Sequence, residues 1–218
     1  MRVFLTNPER PQSPAEERAN SLSHGIGLLA ALVGSPWLIL HAALIGDRPF
    51  VVGVILFVTT VVLLYLASTL YHLLPPGKAK RVFRVIEHCA IFLLIAGTYT
   101  PFSLGVLRGG WGWTLFGIVW GLALVGVAIK VFVKRFRPLF STALYLLMGW
   151  VIVVAIDPLL ARMPLEGLLW LLAGGLCYTL GVVFFATDAR LRFGHLVWHL
   201  FVMAGTACHY LAVFWYAV

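Results

Sequence analysis

His195 and His199 stand four residues apart in the apolar stretch Phe193-Gly194-His195-Leu196-Val197-Trp198-His199. On a helix this spacing is about one turn, so both imidazoles project from one face, ~5–6 Å apart at Cβ. Two nitrogens that close can bind one metal ion at zinc–nitrogen distances of ~2.0–2.1 Å. Two histidines hydrogen-bonded inside a helix bundle would show the same spacing, so the question is whether other segments bring ligands to the same depth. His72 closes the stretch Ser68-Thr69-Leu70-Tyr71-His72, with Ser68 on its face one turn earlier. Glu87 and His88 open another apolar run, and Asn20, Ser21, Ser23 and His24 open a third. Three histidines with a fourth position open form the pattern of a catalytic zinc site. His72, His195 and His199 would supply neutral nitrogens. Glu87 would hold or deprotonate a metal-bound water, whose pKa falls toward ~7 on zinc. Ser68 could hydrogen-bond that water, the carboxylate or a developing oxyanion.

The elements that must position these residues lie in lipid. Of 218 residues, 61% are hydrophobic and 11% charged, against ~45–50% and ~25% in soluble domains. This is the composition of an all-α, polytopic membrane protein. Seven apolar segments of spanning length are expected at about 20–45, 50–74, 85–107, 111–133, 138–157, 165–187 and 195–217. Residues 1–19 read as a polar tail with a short surface helix at 15–19, and residues 20–218 as one seven-helix domain. No cleavable signal peptide is visible. Ionisable groups in a bilayer are costly and by default mark a functional site.

The net charge of +8 sits in short connections, which points to topology and anionic headgroups rather than nucleic acid. Thirteen Lys and Arg fall on one side: Arg2, Arg10, Arg18, Lys78, Lys80, Arg81, Arg84, Lys130, Lys134, Arg135, Arg137, Arg190 and Arg192. Arg48, Arg108 and Arg162 fall on the other. The positive-inside rule puts the N-terminus in the cytoplasm and the C-terminus outside, opposite to G-protein-coupled receptors. The candidate site is then expected near the cytoplasmic face.

Other residues read as structural. Cys89, Cys177 and Cys208 all lie in apolar segments, an odd number that argues against a disulfide framework. His41 and His209 read as structural or interfacial, and His88 is ~100° round the helix from Glu87. Asp157 and Asp188 read as solvated carboxylates at segment ends. Thr98 returns to nearly the face of Glu87 and could extend a polar cavity inward. Gly117 and Gly121 form a G-x-x-x-G, and Gly174, Gly175 and Gly181 follow on the sixth segment; such residues are expected at close helix contacts. Pro101 is expected to kink the third segment.

Taken together, these residues resemble the progestin and adipoQ receptor superfamily, most closely its bacterial hemolysin III branch. The resemblance runs through Glu17-x-x-Asn20-x-x-Ser23-His24-Gly25, Ser68-x-x-x-His72, Ala96-Gly97-Thr98-Tyr99-Thr100-Pro101-Phe102 and His195-x-x-x-His199, followed by His209-Tyr210. It implies a seven-helix plasma-membrane protein with the N-terminus inside. It also implies Zn²⁺ on the histidines matching His72, His195 and His199, and a water-bridging carboxylate where this chain has Glu87. The family usually has Asp there, and the extra methylene would let Glu87 reach the metal directly or displace the water. Kinship with alkaline ceramidases implies hydrolysis of a lipid amide or ester, with membrane lipids as partners. Two rivals stand beside this hydrolase: a membrane sensor or receptor in which zinc only staples helices, and a pore-forming hemolysin. A pore needs a polar stripe along several helices, whereas the polar residues here gather at one end.

Overall fold

The computed structural model describes residues 10–133 and 138–218 and contains no strand among them. Arg2, Lys134, Arg135 and Arg137, which enter the charge count above, lie outside the described residues. The helices are α1 (Pro14–Ile45), α2 (Arg48–Leu73), α3 (Lys78–Phe102), α4 (Gly109–Phe132), α5 (Pro138–Trp150), α6 (Ile156–Arg162), α7 (Leu165–Thr187) and α8 (Gly194–Tyr216). A 3₁₀ turn, Val151–Ala155, joins α5 to α6 within one span. Among the described residues, seven helical spans are therefore long and apolar enough to cross a membrane. The residues they turn outward are apolar, as a lipid solvent requires: Leu44 is 85% and Phe132 80% exposed.

Two helices start earlier than their apolar runs. α1 begins at Pro14, not Asn20, because Ser13 caps it: the Ser13 hydroxyl accepts from the Glu16 amide, and Glu16 Oε2 accepts from the Ser13 amide at 2.9 Å. This reciprocal pair satisfies two of the helix's free amides. α3 begins at Lys78, so Lys78, Lys80, Arg81 and Arg84 form its first two turns rather than a connection. Hydropathy marks where lipid begins, not where hydrogen bonding does.

The fifth span also runs past its expected end at Asp157, and its break has a local cause. Pro158 lacks an amide hydrogen and its ring crowds the carbonyl four residues back, so a regular helix cannot pass through Val154. The backbone where α5 gives way to the 3₁₀ turn is met from α3. Tyr99 Oη lies 2.9 Å from the Met148 carbonyl and 2.7 Å from that of Gly149, and accepts from the Ile152 amide at 3.0 Å. Such repair by a neighbouring helix is what lipid demands of an interrupted span. Pro101 is accommodated inside α3, and two residues later the helix widens into a π turn, Ser103–Leu107.

α3 is the central helix. It packs along α2 and α4 and touches α5 and α8, while α1 lies against α2 and α8, and α7 pairs with α8. The α2–α3 crossing is close at Gly53, where a Cβ would stand 3.0 Å from the Pro101 Cα and the Thr100 carbonyl oxygen. Gly174 and Gly181 are contact glycines, against His209 and against Phe201. Gly117, Gly121 and Gly175 are not, because a Cβ at each would meet nothing within 4 Å. The G-x-x-x-G of α4 faces outward, a correction to its expected role.

This contrast predicts opposite effects of one substitution. Alanine raises helix propensity over glycine by about 1 kcal/mol, so Gly121→Ala should hold or raise the melting temperature in detergent. Gly53→Ala forces a methyl group against backbone and should destabilise by about 1–3 kcal/mol, read as a lower melting temperature.

Candidate metal centre

The polar end of the bundle is built from five pieces: the first turns of α1, the last turn of α2, Glu87 on α3, the turn between α7 and α8, and the first turns of α8. His72 ends α2, where Pro75 and Pro76 prevent further helix. The turn Asp188–Phe193 closes with Phe193 in the left-handed region at φ 59°. Glu16 Oε1 accepts from the Phe193 amide at 3.0 Å, which sets a carboxylate at the N-terminus of α8 where the helix dipole favours it. Glu16 is held in turn by Arg10, at 2.5 Å, and Asn20 donates to the Gln12 side chain.

His72, His195 and His199 converge, each offering one ring nitrogen within 4.8 Å of the others. Their outward nitrogens are all engaged. His72 Nδ1 lies 2.8 Å from Glu17 Oε2, His195 Nδ1 lies 3.0 Å from Asp188 Oδ2, and His199 Nδ1 lies 3.0 Å from Ser23 Oγ. A carboxylate can only accept, so His72 and His195 carry their proton on Nδ1. Ser23 Oγ already donates to the Asn20 carbonyl at 2.8 Å, so His199 must also donate from Nδ1. The consequence falls on Nε2. In all three rings it is a buried lone pair with no hydrogen-bond partner. Three unmatched acceptors facing one another in the buried interior fit a cation ligand site. Neutral histidine nitrogens are ligands for zinc.

Glu87 is 2% exposed, with Oε1 3.7 Å from His72 Nε2 and unpartnered. That separation is too long for a hydrogen bond, and it places the carboxylate beside His72 but outside the group of three converging nitrogens. Ser68 is fully buried one turn from His72, and its hydroxyl makes no hydrogen bond, so it is not tied to Glu87 or the rings. His24 stacks on His199, with ring centroids 3.6 Å apart and planes 4° from parallel. Both His24 nitrogens are buried and unpartnered.

The remaining candidates go elsewhere. His88, Cys89 and Cys208 are outside the three-histidine group. His41 stacks on Phe214. His209 Nε2 faces the Leu171 carbonyl at 3.3 Å, to which it can only donate. Thr98 returns its hydroxyl proton to the Leu94 carbonyl at 2.7 Å, so it adds little polarity to the wall it forms. Asp188, expected to be a solvated end group, instead supports a ligand candidate. Its seven-residue separation from His195 crosses a non-helical turn, and no helical periodicity could have shown the pairing.

A cavity of about 410 Å³ adjoins the site, with Glu87 and His24 in its wall. Ile91, Leu146, Leu168 and Trp198 are among the apolar side chains that line the rest. Its volume is in the range of small-molecule and lipid sites. Its apolar wall and the gathering of polar groups at one end run against a continuous aqueous pore.

Comparison with known proteins shows the family of the chain. The Haemolysin-III related family matches residues 12–210. The chain is 44% identical over 204 residues to Hemolysin-3 of Bacillus cereus, covering 93% of this chain and 92% of that protein. It is also 44% identical over 204 residues to the Hemolysin-3 homolog of Bacillus subtilis (strain 168), covering 93% and 95%. It is 30% identical over 212 residues to the human monocyte to macrophage differentiation factor, covering 92% and 84%. With its seven spans and its histidine cluster at one end of the bundle, this chain belongs to the haemolysin-III-related family of multi-pass membrane proteins.

Proposed function

We propose that the protein is a zinc-dependent membrane hydrolase acting on a lipid amide or ester. The observation that carries this reading is the trio of buried, unpartnered Nε2 lone pairs on His72, His195 and His199, with Glu87, 3.7 Å from His72 Nε2, reaching from the trio to the wall of an apolar cavity. The three imidazoles would hold the ion. Zinc supplies Lewis acidity and lowers the pKa of water toward ~7. The apolar wall would receive the hydrocarbon part of the substrate and exclude bulk water. Glu87 Oε1 would take a proton from the attacking water and return it to the leaving nitrogen or oxygen. Water adds to the carbonyl carbon, the carbon–nitrogen or carbon–oxygen bond breaks, and a fatty acid and an amine or alcohol are released. Ser68, whose hydroxyl has no partner, would donate to the carbonyl oxygen as it gains charge. The excess of Lys and Arg at this end supports an N-terminus in the cytoplasm and a place in the bacterial plasma membrane.

Purified protein should carry one zinc ion per chain by elemental analysis, and His72→Ala, His195→Ala and His199→Ala should each lose most of it. Full occupancy in His195→Ala and His199→Ala would overturn the ligand assignment.

Cysteines introduced at Lys78 and Arg190 should react with a membrane-impermeant label only in opened cells. Labelling of either position in intact cells would reverse the orientation.

Glu87→Gln keeps the shape and one acceptor oxygen but removes the base. It should retain zinc while release of fatty acid from a panel of lipid amides and esters falls ~10²–10⁴-fold. Glu87→Asp should keep part of the activity. If the wild type turns over no substrate and Glu87→Gln loses its zinc, the ion is a structural clamp joining α2, α3 and α8, and the protein is a sensor.

A further inference from the structure

Glu17 and Asp188 have no part in the chemistry proposed above, yet each is joined to one of the three histidines. The His72 and His195 side chains are 1% and 10% exposed, whereas their carboxylate partners are 23% and 28% exposed. Each acid therefore sits between the solvated end of the bundle and a buried ring. Glu17 is fixed from a second side: its Oε1 pairs with Lys80 Nζ at 3.0 Å. Lys80 itself donates to the Tyr71 and Leu74 carbonyls at 3.0 and 3.1 Å. Asp188 is placed by the turn that leads into α8. There the Arg190 and Leu191 amides bond the Thr187 carbonyl at 2.8 and 3.1 Å.

We infer that Glu17 and Asp188 are positioning residues for a metal ion, acting through the Nδ1 atoms of His72 and His195. The inference rests on the metal reading of the three histidines. A carboxylate behind an imidazole fixes the tautomer and ring orientation and raises the basicity of the opposite nitrogen. His199 is backed differently. Its partner is the neutral Ser23 hydroxyl, whose own proton is committed to the Asn20 carbonyl. The three ligands are therefore unequal: His72 and His195 are the stronger donors and His199 the weaker. Two negative charges close behind the site also favour a dication there over the empty cluster.

The test uses full-length protein in detergent, stripped of metal and titrated with zinc against a chromophoric chelator. The melting temperature of each metal-free sample is measured alongside. Glu17→Gln and Asp188→Asn keep an acceptor oxygen and remove the charge. Each should weaken zinc binding ~10–100-fold with the metal-free melting temperature unchanged. Asp188→Glu should recover most of the affinity. Ser23→Ala should cost less than either carboxylate change. Should one variant fail to fold, the other reads out the same effect at an independent ring. Wild-type affinity in both variants overturns the inference and leaves the three-histidine site standing. So does an affinity loss that merely follows a fall in metal-free stability. A wild type without zinc affinity removes both readings together.

Discussion

A neutral imidazole has one donor and one acceptor, and it cannot turn both outward. In this protein the three donors point away from one another, to Glu17, Asp188 and Ser23, and the three acceptors are left facing inward. An unsatisfied buried acceptor costs about 1–3 kcal/mol, and here three share one buried space. Much of the architecture at this end is a consequence of holding that arrangement. α1 supplies two of the three outward partners, the α7–α8 turn supplies the third, and Glu16 ties the turn back to α1. Glu87, 3.7 Å from the nearest Nε2, adds negative charge that makes the space still more receptive to a cation.

The rest of the bundle faces a different constraint. Apolar side chains gain little from leaving lipid for one another, so association depends on close approach and on completing backbone hydrogen bonds. α3 satisfies both. Its Pro101 turn lies against Gly53 of α2, and its Tyr99 hydroxyl completes the backbone where the fifth span breaks. The same helix carries Glu87 about three turns before Tyr99. The element that holds α2 and the fifth span in place thus also fixes where the carboxylate stands.

The seven spans could be read from hydropathy because lipid imposes a length on each apolar run. The His195–His199 pair could be read because four residues on a helix define a face. His72 and Glu87 followed from their positions at segment ends, where a costly polar group calls for a reason. What could not be read was pairing across the chain. Glu17 meets His72 from 55 residues away and Ser23 meets His199 from 176, and no local pattern encodes either contact; Glu17 entered only through a family motif, and Ser23 only as one of several polar residues opening the first segment. Gly117 and Gly121 had the spacing of a helix contact but no neighbour to contact. Spacing states what an element can do, and topology decides whether anything lies opposite.

The separation between Ser23 and His199 has a consequence for how the molecule is made. Helices enter the membrane in the order of synthesis. While α1 and α2 are already in place, Glu17 can engage His72, but the cluster then holds a single imidazole of the three. The other two arrive together on α8, after every other described span. The mutual exposure of the three lone pairs is therefore postponed to the insertion of α8. Until then the nascent bundle presents only one of the three histidines at this end.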